Sequence, residues 1–261
     1  MSGFSAEWLA LREVADRAAR ATDVTDAVLR TLPQQQSATI VDLGCGTGSN
    51  ARYLAPHLPT SRWRLVDDDE HLLSVARTSL PYAVEIHVAD LRELNEQVLQ
   101  GCALVTASAL LDLVSESWLA RLVTMARASG SAVLMALNYD GRIACTPSDV
   151  DDELVRSLVN RHQQTDKGFG PALGPHAGVR AAALLRDAGY VVHRSPSDWV
   201  LGPEHAGLQR ELIDGWASAA AETAPDRTEQ IGAWRARRQA HVSAGTSHLI
   251  VGHDDVGAVL A

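Results

Sequence analysis

The stretch Val41-Asp42-Leu43-Gly44-Cys45-Gly46-Thr47-Gly48-Ser49-Asn50 decides how this chain is interpreted. It follows a short β-type run at 38–41 and precedes residues 51–54, which can begin a helix. Glycines let the backbone turn sharply and approach a ligand closely. A helix that starts directly after them points free N–H groups and its positive dipole end at that ligand. Strand, glycine loop and helix in this order predict a site for an adenosine-containing cofactor.

The spacing of the glycines narrows the type of cofactor. Gly44, Gly46 and Gly48 form GxGxG, whereas a dinucleotide site needs GxGxxG and would have its third glycine where Ser49 stands. Asp42, just before the loop, would repel a pyrophosphate and suits a ligand that carries an ammonium and a sulfonium. A nicotinamide dehydrogenase is therefore a distant alternative.

Residues 42–48 resemble the first motif of the class I S-adenosylmethionine-dependent methyltransferases. Asp67 ends a second predicted strand at 63–66, where a carboxylate can accept hydrogen bonds from both ribose hydroxyls. Asp90 follows a third predicted strand at 84–88, and in this family an acid there lies beside the adenine amino group. The resemblance implies S-adenosylmethionine as cofactor and S-adenosylhomocysteine as its product.

The cofactor site implied in this way has a structural alternative at two positions. Asp67 begins an acidic run that could be the negatively charged first turn of a helix, and Asp90 could cap a helix predicted at 91–99 while also contacting cofactor. The predicted cofactor-binding residues are Asp42, Gly44, Gly46, Gly48, Asp67, Asp68, Asp90, Leu91 and Ser108.

Composition excludes several other classes of protein. The chain has 261 residues, is 46% hydrophobic and carries a formal net charge of −9. It is long enough to bury a full core, and its acidity argues against a nucleic-acid partner. Cys45, Cys102 and Cys145 form neither a disulfide framework nor a metal-ligand pattern. Without a leader-type N-terminus or a membrane-spanning run, the chain is expected to be cytoplasmic and without a membrane partner.

Alternation of strands and helices predicts an α/β fold, with a doubly wound, mostly parallel sheet. The resemblance implies seven strands, a Rossmann-like methyltransferase fold and an antiparallel last pair. We expect a single domain at 1–261 that has an N-terminal helical cap at 1–36, a lid-like insertion at 141–175 and a helical insertion at 200–244. The fifth strand is predicted at 132–137.

The N-terminal cap is predicted to be helical over 5–32. Such helices often cover the cofactor in methyltransferases, so Phe4, Trp8 and Arg12 are candidates to line the site. Packing against the sheet is the favoured role for Trp8.

The acceptor of the methyl group should face the ends of the fourth and fifth strands, since ligands bind at the carboxyl ends of parallel strands. Methyl transfer requires alignment of the acceptor and management of one proton, and the candidates for that work are Asp112, Tyr139, Asp140 and His162. The fourth strand lacks the Asn/Asp-Pro-Pro-Tyr/Phe ending of enzymes that methylate base amines. That absence disfavours nucleobase substrates.

The segment 162–175 combines ionisable residues with a Gly/Pro-rich run. Glycine hinges suit a lid that closes over cofactor and acceptor, although an ordinary loop would also contain them. Asp166, Lys167 and Phe169 are its predicted substrate-binding residues, together with Asp198 and Trp199 after the sixth predicted strand.

The sequence therefore predicts an S-adenosylmethionine-dependent methyltransferase that methylates oxygen or nitrogen of a small polar metabolite. Two alternatives remain: a non-methylating enzyme on the same fold, and a non-catalytic cofactor-binding or regulatory subunit. A homodimer is left open, and no metal site is predicted.

Overall fold

The computed structural model describes residues 4–32, 37–82 and 84–261. The strands are β1 (Thr39–Leu43), β2 (Arg62–Asp67), β3 (Val84–Val88), β4 (Cys102–Ser108), β5 (Ala132–Thr146), β6 (Tyr190–Pro196), β7 (Trp199–Leu201) and β8 (His248–Leu260). The helices are α1 (Ala6–Ala19), α2 (Thr22–Leu29), α3 (Ser49–Leu54), α4 (Glu70–Ser79), α5 (Glu116–Ala128), α6 (Asp152–Gln163), α7 (Ala177–Asp187), α8 (Ala206–Thr223) and α9 (Thr228–Ser243).

One mixed sheet organises the chain. Its strand order is β3-β2-β1-β4-β5-β8-β6, and β7 pairs with β8 beside this path. The first five strands in this order are parallel to one another, whereas β8 runs antiparallel to β5, β6 and β7. The α/β class, the mostly parallel sheet and the antiparallel final pair are confirmed. The sheet has eight strands rather than the seven expected, because β7 is too short for a sequence signal.

The two faces of the sheet are buried against different helices, as an alternating strand pattern requires. Val41, Val105 and Val133 face the cluster that contains α5 and α7. Ile40 and Leu104 face the opposite cluster, which contains α2, α3 and α4. This double coverage explains why the central strands read as continuous apolar runs.

A third cluster lies where β5, β7 and β8 extend beyond the parallel strands. There α6, α8 and α9 pack around Tyr139, Trp199 and Trp234. The fifth strand continues to Thr146, so its predicted end at 137 was wrong, and 141–146 are strand rather than part of a lid. Pairing with the long β8 supplies this extension, and such a partner is invisible in a local pattern.

The N-terminal segment forms two helices, with a break at Arg20 and Ala21, instead of one helical stretch. The helix predicted at 91–99 is also replaced, by two short 3₁₀ turns at Leu91–Glu93 and Glu96–Leu99. Residues 1–3 and 33–36 of the predicted cap lie outside the described residues. Within the described ranges, no helix is long and apolar enough to cross a membrane.

We expect Val105→Ala to lower the free energy of unfolding by about 2 kcal/mol, since it removes two methyl groups from a fully buried site in the middle of the sheet. Val150→Ala deletes the same atoms at a position that is 94% exposed, and its effect should stay below about 0.5 kcal/mol. Urea denaturation of both variants measures the difference. Equal losses would contradict this description of the core.

Candidate active site

A cavity of about 570 Å³ opens at the carboxyl ends of the parallel strands. Its volume suits a small-molecule site, and its position is the one at which open α/β sheets bind ligands. Predicted cofactor-binding residues on its wall are Asp42, Gly44, Gly46, Asp67, Asp68, Asp90, Leu91 and Ser108. The structure therefore brings eight of the nine into one cavity, and the ninth, Gly48, lies just behind it.

The glycine loop has the backbone conformation that its sequence predicts. Gly44, Gly46 and Gly48 have φ values of +62°, +51° and +81°, which side-chain-bearing residues rarely adopt. A Cβ at Gly46 would lie 2.9 Å from Leu9 Cδ1 of α1, and one at Gly48 would lie 3.3 Å from the Ala76 Cβ of α4. The absence of a side chain at Gly46 thus allows α1 to pack over the loop. The absence of one at Gly48 allows α4 to pack on its other side.

Asp67 connects the end of β2 to this loop. Its Oδ2 accepts a hydrogen bond from Gly46 N at 2.8 Å, and its Oδ1 accepts one from Asp69 N at 3.1 Å. Burial raises the pKa of Asp67. Each carboxylate oxygen keeps a second lone pair for a ligand. Asp69 caps α4 by accepting from His71 N and Leu72 N.

Asp90 caps the 3₁₀ turn Leu91–Glu93 by accepting from Arg92 N at 2.8 Å. It also forms an ion pair with Arg92, and hydrogen bonds from that side chain hold the pKa of Asp90 below its usual value. Its place on the cavity wall shows that capping and exposure to a ligand are compatible at this position.

Asp42 belongs to a buried polar network behind the loop. Its Oδ1 accepts from Asn50 Nδ2 at 2.7 Å, and Asn50 Oδ1 accepts from Arg20 Nη1 at 2.8 Å. Arg20 in turn pairs with Asp255 at 3.3 Å. Asp42 Oδ2 is buried without a hydrogen-bond partner among the described residues, and burial raises the pKa of Asp42 to about 7.

Helix α1 forms the wall opposite the glycine loop. Phe4, just before the helix, and Leu9, Arg12 and Asp16 on it all line the cavity. The side chain of Trp8 packs instead with the third hydrophobic cluster. Phe4 and Arg12 thus lie where the sequence placed them, and Trp8 has its expected packing role.

Comparisons with known proteins agree with this geometry. A family model described as a methyltransferase domain matches residues 40–130. A trans-aconitate 2-methyltransferase of Escherichia coli O1:K1 is 30% identical over 191 residues, which cover 67% of this chain and 69% of that protein. The chain belongs to the S-adenosylmethionine-dependent methyltransferases.

Other matches support the same assignment. A trans-aconitate 2-methyltransferase from another Escherichia coli strain is 28% identical over 203 residues, covering 72% of this methyltransferase and 74% of that protein. The crystal structure of the YcgJ protein from Bacillus subtilis has the same fold, with a TM-score of 0.51 and 12% identity, covering 92% of this chain and all of that one. The predicted enzyme class and its cofactor, S-adenosylmethionine, are confirmed.

The predicted acceptor-side residues do not share one cavity, unlike most of the predicted cofactor-binding residues. Tyr139 lies inside β5 and donates its hydroxyl hydrogen to Asn160 Oδ1 at 2.7 Å. Asp140 and Asp198 both pair with Arg142, outside the cavity. These side chains hold the β5–β8 extension together rather than face the cofactor loop.

Only Phe169 of the predicted lid lines the cavity, where it also contacts Trp118 edge to face at a centroid distance of 5.7 Å. Asp166 closes the turn by accepting from the backbone N–H groups of residues 168 and 170. Lys167 Nζ lies 3.2 Å from His162 Nδ1, and His162 Nε2 lies 3.1 Å from Glu222 on α8. The movement of this segment as a lid stays a prediction. The contacts that anchor residues 162–170 are observed.

Trp199 and Asp112 are buried close to Arg12 of the cavity wall. The Arg12 guanidinium lies 4.9 Å from the centre of the Trp199 ring. Asp112 is not among the described cavity-lining residues, and its Oδ1 is buried without a partner in the described part of the chain. Burial raises the pKa of Asp112 to about 6, an effect that the charge of Arg12 reduces.

Several cavity residues escaped sequence analysis. Leu113 follows β4 in an ordinary apolar run, and His71, the second residue of α4, has no distinguishing pattern. Asp16 had no signal beyond its i,i+4 spacing from Arg12. Their place on the cavity wall comes from the tertiary fold, including the packing of α1 across the loop.

We expect Asp112→Asn to raise the free energy of unfolding by roughly 2 kcal/mol at pH 8 and to change it little at pH 4. The native pKa lies above the ordinary value, so the native state favours the protonated form and loses stability as the carboxyl ionises between these limits. Urea denaturation across this pH range measures the difference between variant and wild type. His253 titrates in the opposite sense, but it is present in both proteins.

Asp26→Asn removes an exposed carboxylate on α2 and serves as the matched control. A stability difference between Asp112→Asn and wild type that is the same at pH 4 and pH 8 would show that Asp112 is not desolvated as described.

Proposed function

We propose that this methyltransferase transfers the methyl group of S-adenosylmethionine to an oxygen or nitrogen of a small polar metabolite. The observation that carries the proposal is the placement of Asp67, which faces the cavity while accepting a hydrogen bond from Gly46 N. A single carboxylate thus fixes the loop and remains available for a ribose. Asp42 and Asp90 flank it at the ends of neighbouring strands.

The residues present fit the cofactor. The free lone pairs of Asp67 suit the two ribose hydroxyls. The unpartnered Oδ2 of Asp42 suits the cofactor's ammonium, because a buried carboxylate gains from a charged partner. Asp90 would contact the polar edge of the adenine, and Leu91 would pack against the face of the adenine ring.

The cofactor supplies a methyl carbon that its sulfonium activates for in-line displacement. The chain then has to orient the acceptor and exclude water, which Leu110, Leu113 and Phe169 do by covering the far side of the cavity with apolar surface. Among the predicted proton-accepting residues, Asp112 is supported by burial, which raises its pKa to about 6, closer to the range suited to a general base than an ordinary carboxyl. Its position between Leu110 and Leu113, which both line the cavity, makes it a candidate to accept the acceptor's proton. Tyr139, Asp140 and His162 have less support.

The relatives' name, trans-aconitate 2-methyltransferase, suggests one acceptor by similarity. Trans-aconitate is a tricarboxylate, and its recognition would require several cations. The described residues of the cavity wall include one arginine, Arg12, and it is paired with Asp16. We therefore keep the broader class, a small metabolite with a polar reacting group.

Two alternatives differ in what they require. A non-methylating enzyme on the same fold would use the same cofactor residues, so only product analysis separates it from a methyltransferase. A non-catalytic subunit would have no need for a cavity that extends past the cofactor residues to Phe4 and Phe169. A cytoplasmic location, a single domain and a homodimer stay predictions.

We expect calorimetric titration to give micromolar binding of S-adenosylmethionine and S-adenosylhomocysteine and no binding of NAD. Asp67→Ala should weaken both by about tenfold or more, because it removes charge-assisted hydrogen bonds to the ribose. Asp226→Ala, at an exposed position before α9, is the control and should leave both affinities unchanged. Wild-type protein that binds neither sulfur compound would refute the proposed function.

A further inference from the structure

The acceptor end of the cavity differs in charge from what a polycarboxylate would need. Among the described residues, the wall of the whole cavity has one arginine, Arg12, against seven carboxylates, six of which lie at the cofactor end while Asp16 lies beside Arg12. The carboxylates are Asp16, Asp42, Asp67, Asp68, Asp69, Glu70 and Asp90. At the acceptor end an anion would therefore have one cation to pair with, Arg12, and its binding depends on whether Arg12 is free to receive it.

The charge of Arg12 is neutralised by the carboxylate of Asp16, which accepts two of its five N–H groups. Its Nε and Nη2 donate to Asp16 Oδ2 and Oδ1 at 3.0 and 3.1 Å, which is a two-point pair. Both side chains are nearly buried, with 12% and 13% of their surface exposed. Asp16 Oδ1 also accepts from Trp199 Nε1 at 3.1 Å, and the Trp199 ring lies against the guanidinium. These contacts fix the pair in place.

The charge of Arg12 also acts on two buried ionisable side chains. It lowers the pKa of both Asp112 and His253, although burial dominates each of them. The His253 ring lies 4.9 Å from the Trp199 ring, so these groups form one packed unit. A ligand carboxylate that drew Arg12 away would leave Asp16 and Asp112 without a cation.

The remaining acceptor-side wall is apolar. It consists of Phe4 and Leu9 from the N-terminal segment, Leu110 and Leu113 after β4, and Phe169 from the anchored loop. Two aromatic rings and three leucines favour a flat or branched hydrocarbon body.

We propose that the acceptor is an uncharged or cationic small molecule with an apolar body, and that Asp16 is the specificity-determining residue that excludes carboxylate acceptors. Asp16 does so by holding Arg12 in a neutral pair on the cavity wall. This inference rests on the proposed function, since it concerns the same cavity after the cofactor has bound.

A charge series on one ring tests the proposal. The protein is saturated with S-adenosylhomocysteine and titrated with benzylamine, benzyl alcohol, benzoate and benzene-1,3,5-tricarboxylate, with binding followed by calorimetry. We expect the amine and the alcohol to bind at least about tenfold more tightly than either carboxylate, because like charges at close range are strongly unfavourable. Tighter binding of a carboxylate, or no binding by any of the four, would overturn the proposal.

Asp16→Asn tests the assigned residue. The amide retains an oxygen for Trp199 but loses the charge, which leaves Arg12 free to receive an anion. Benzoate should then bind about tenfold more tightly than to wild type, while benzyl alcohol should change little. Asp26→Asn makes the same change in net charge on an exposed site and should alter neither affinity. If Asp16→Asn leaves benzoate binding unchanged, Asp16 does not set the specificity.

The affinity for S-adenosylhomocysteine is measured first in every titration. It distinguishes a failure of the proposed function from a failure of the proposed acceptor class. Its absence from wild type would refute the proposed function. Intact cofactor binding with the wrong order of ring probes would refute only the acceptor class. Unchanged cofactor affinity in Asp16→Asn also shows that α1 still packs across the glycine loop.

Discussion

A buried arginine ties together three distant parts of this methyltransferase. Arg20 pairs with Asp255 of β8 and donates to Asn50, and Asn50 donates to Asp42. Burial of such groups costs several kcal/mol per charge and is repaid only by good geometry, so loss of one partner typically costs about 3–5 kcal/mol. The same Asp255 accepts from Leu137 N at 2.7 Å and holds that residue at a φ of +54°. The cofactor loop, the start of the chain and the end of the parallel part of β5 therefore share one set of contacts.

The parts of the fold that the sequence predicted are those with local causes. The glycine loop needs a particular backbone, and Asp67 and Asp90 follow short strands whose residues alternate or run apolar. Their order along the chain is enough to place them at one edge of a parallel sheet. The errors have non-local causes: β5 is lengthened by pairing with β8, and the predicted helix after Leu91 breaks into short turns.

The acceptor side was harder to predict because its geometry comes from side-chain contacts across long separations. The ring of Trp199 lies against Arg12 although more than half of the chain's length separates them, and no periodic pattern in the sequence predicts that contact. Tyr139 and Asp140 were expected at the tip of the fifth strand, facing the acceptor. The continuation of β5 made them part of the sheet instead. Phe169 was found because a lone phenylalanine in a Gly/Pro-rich segment stands out even in one sequence.

The length of β5 has a consequence for how this enzyme can change. Its fifteen residues begin in the parallel sheet and end among α6, α8 and α9. One strand, irregular around Leu137, therefore connects the parallel sheet to these helices. The helices are joined to the sheet mainly through this strand and β8. Of these helices, α8 and α9 lie between β7 and β8, a segment that contributes no residue to the described cavity wall. They act on the cavity indirectly, since Glu222 of α8 pairs with His162 at the base of the segment that bears Phe169. The exposed face of α8 and α9 can therefore vary in sequence with little effect on the cavity, whereas their buried face is constrained by α1 and β7.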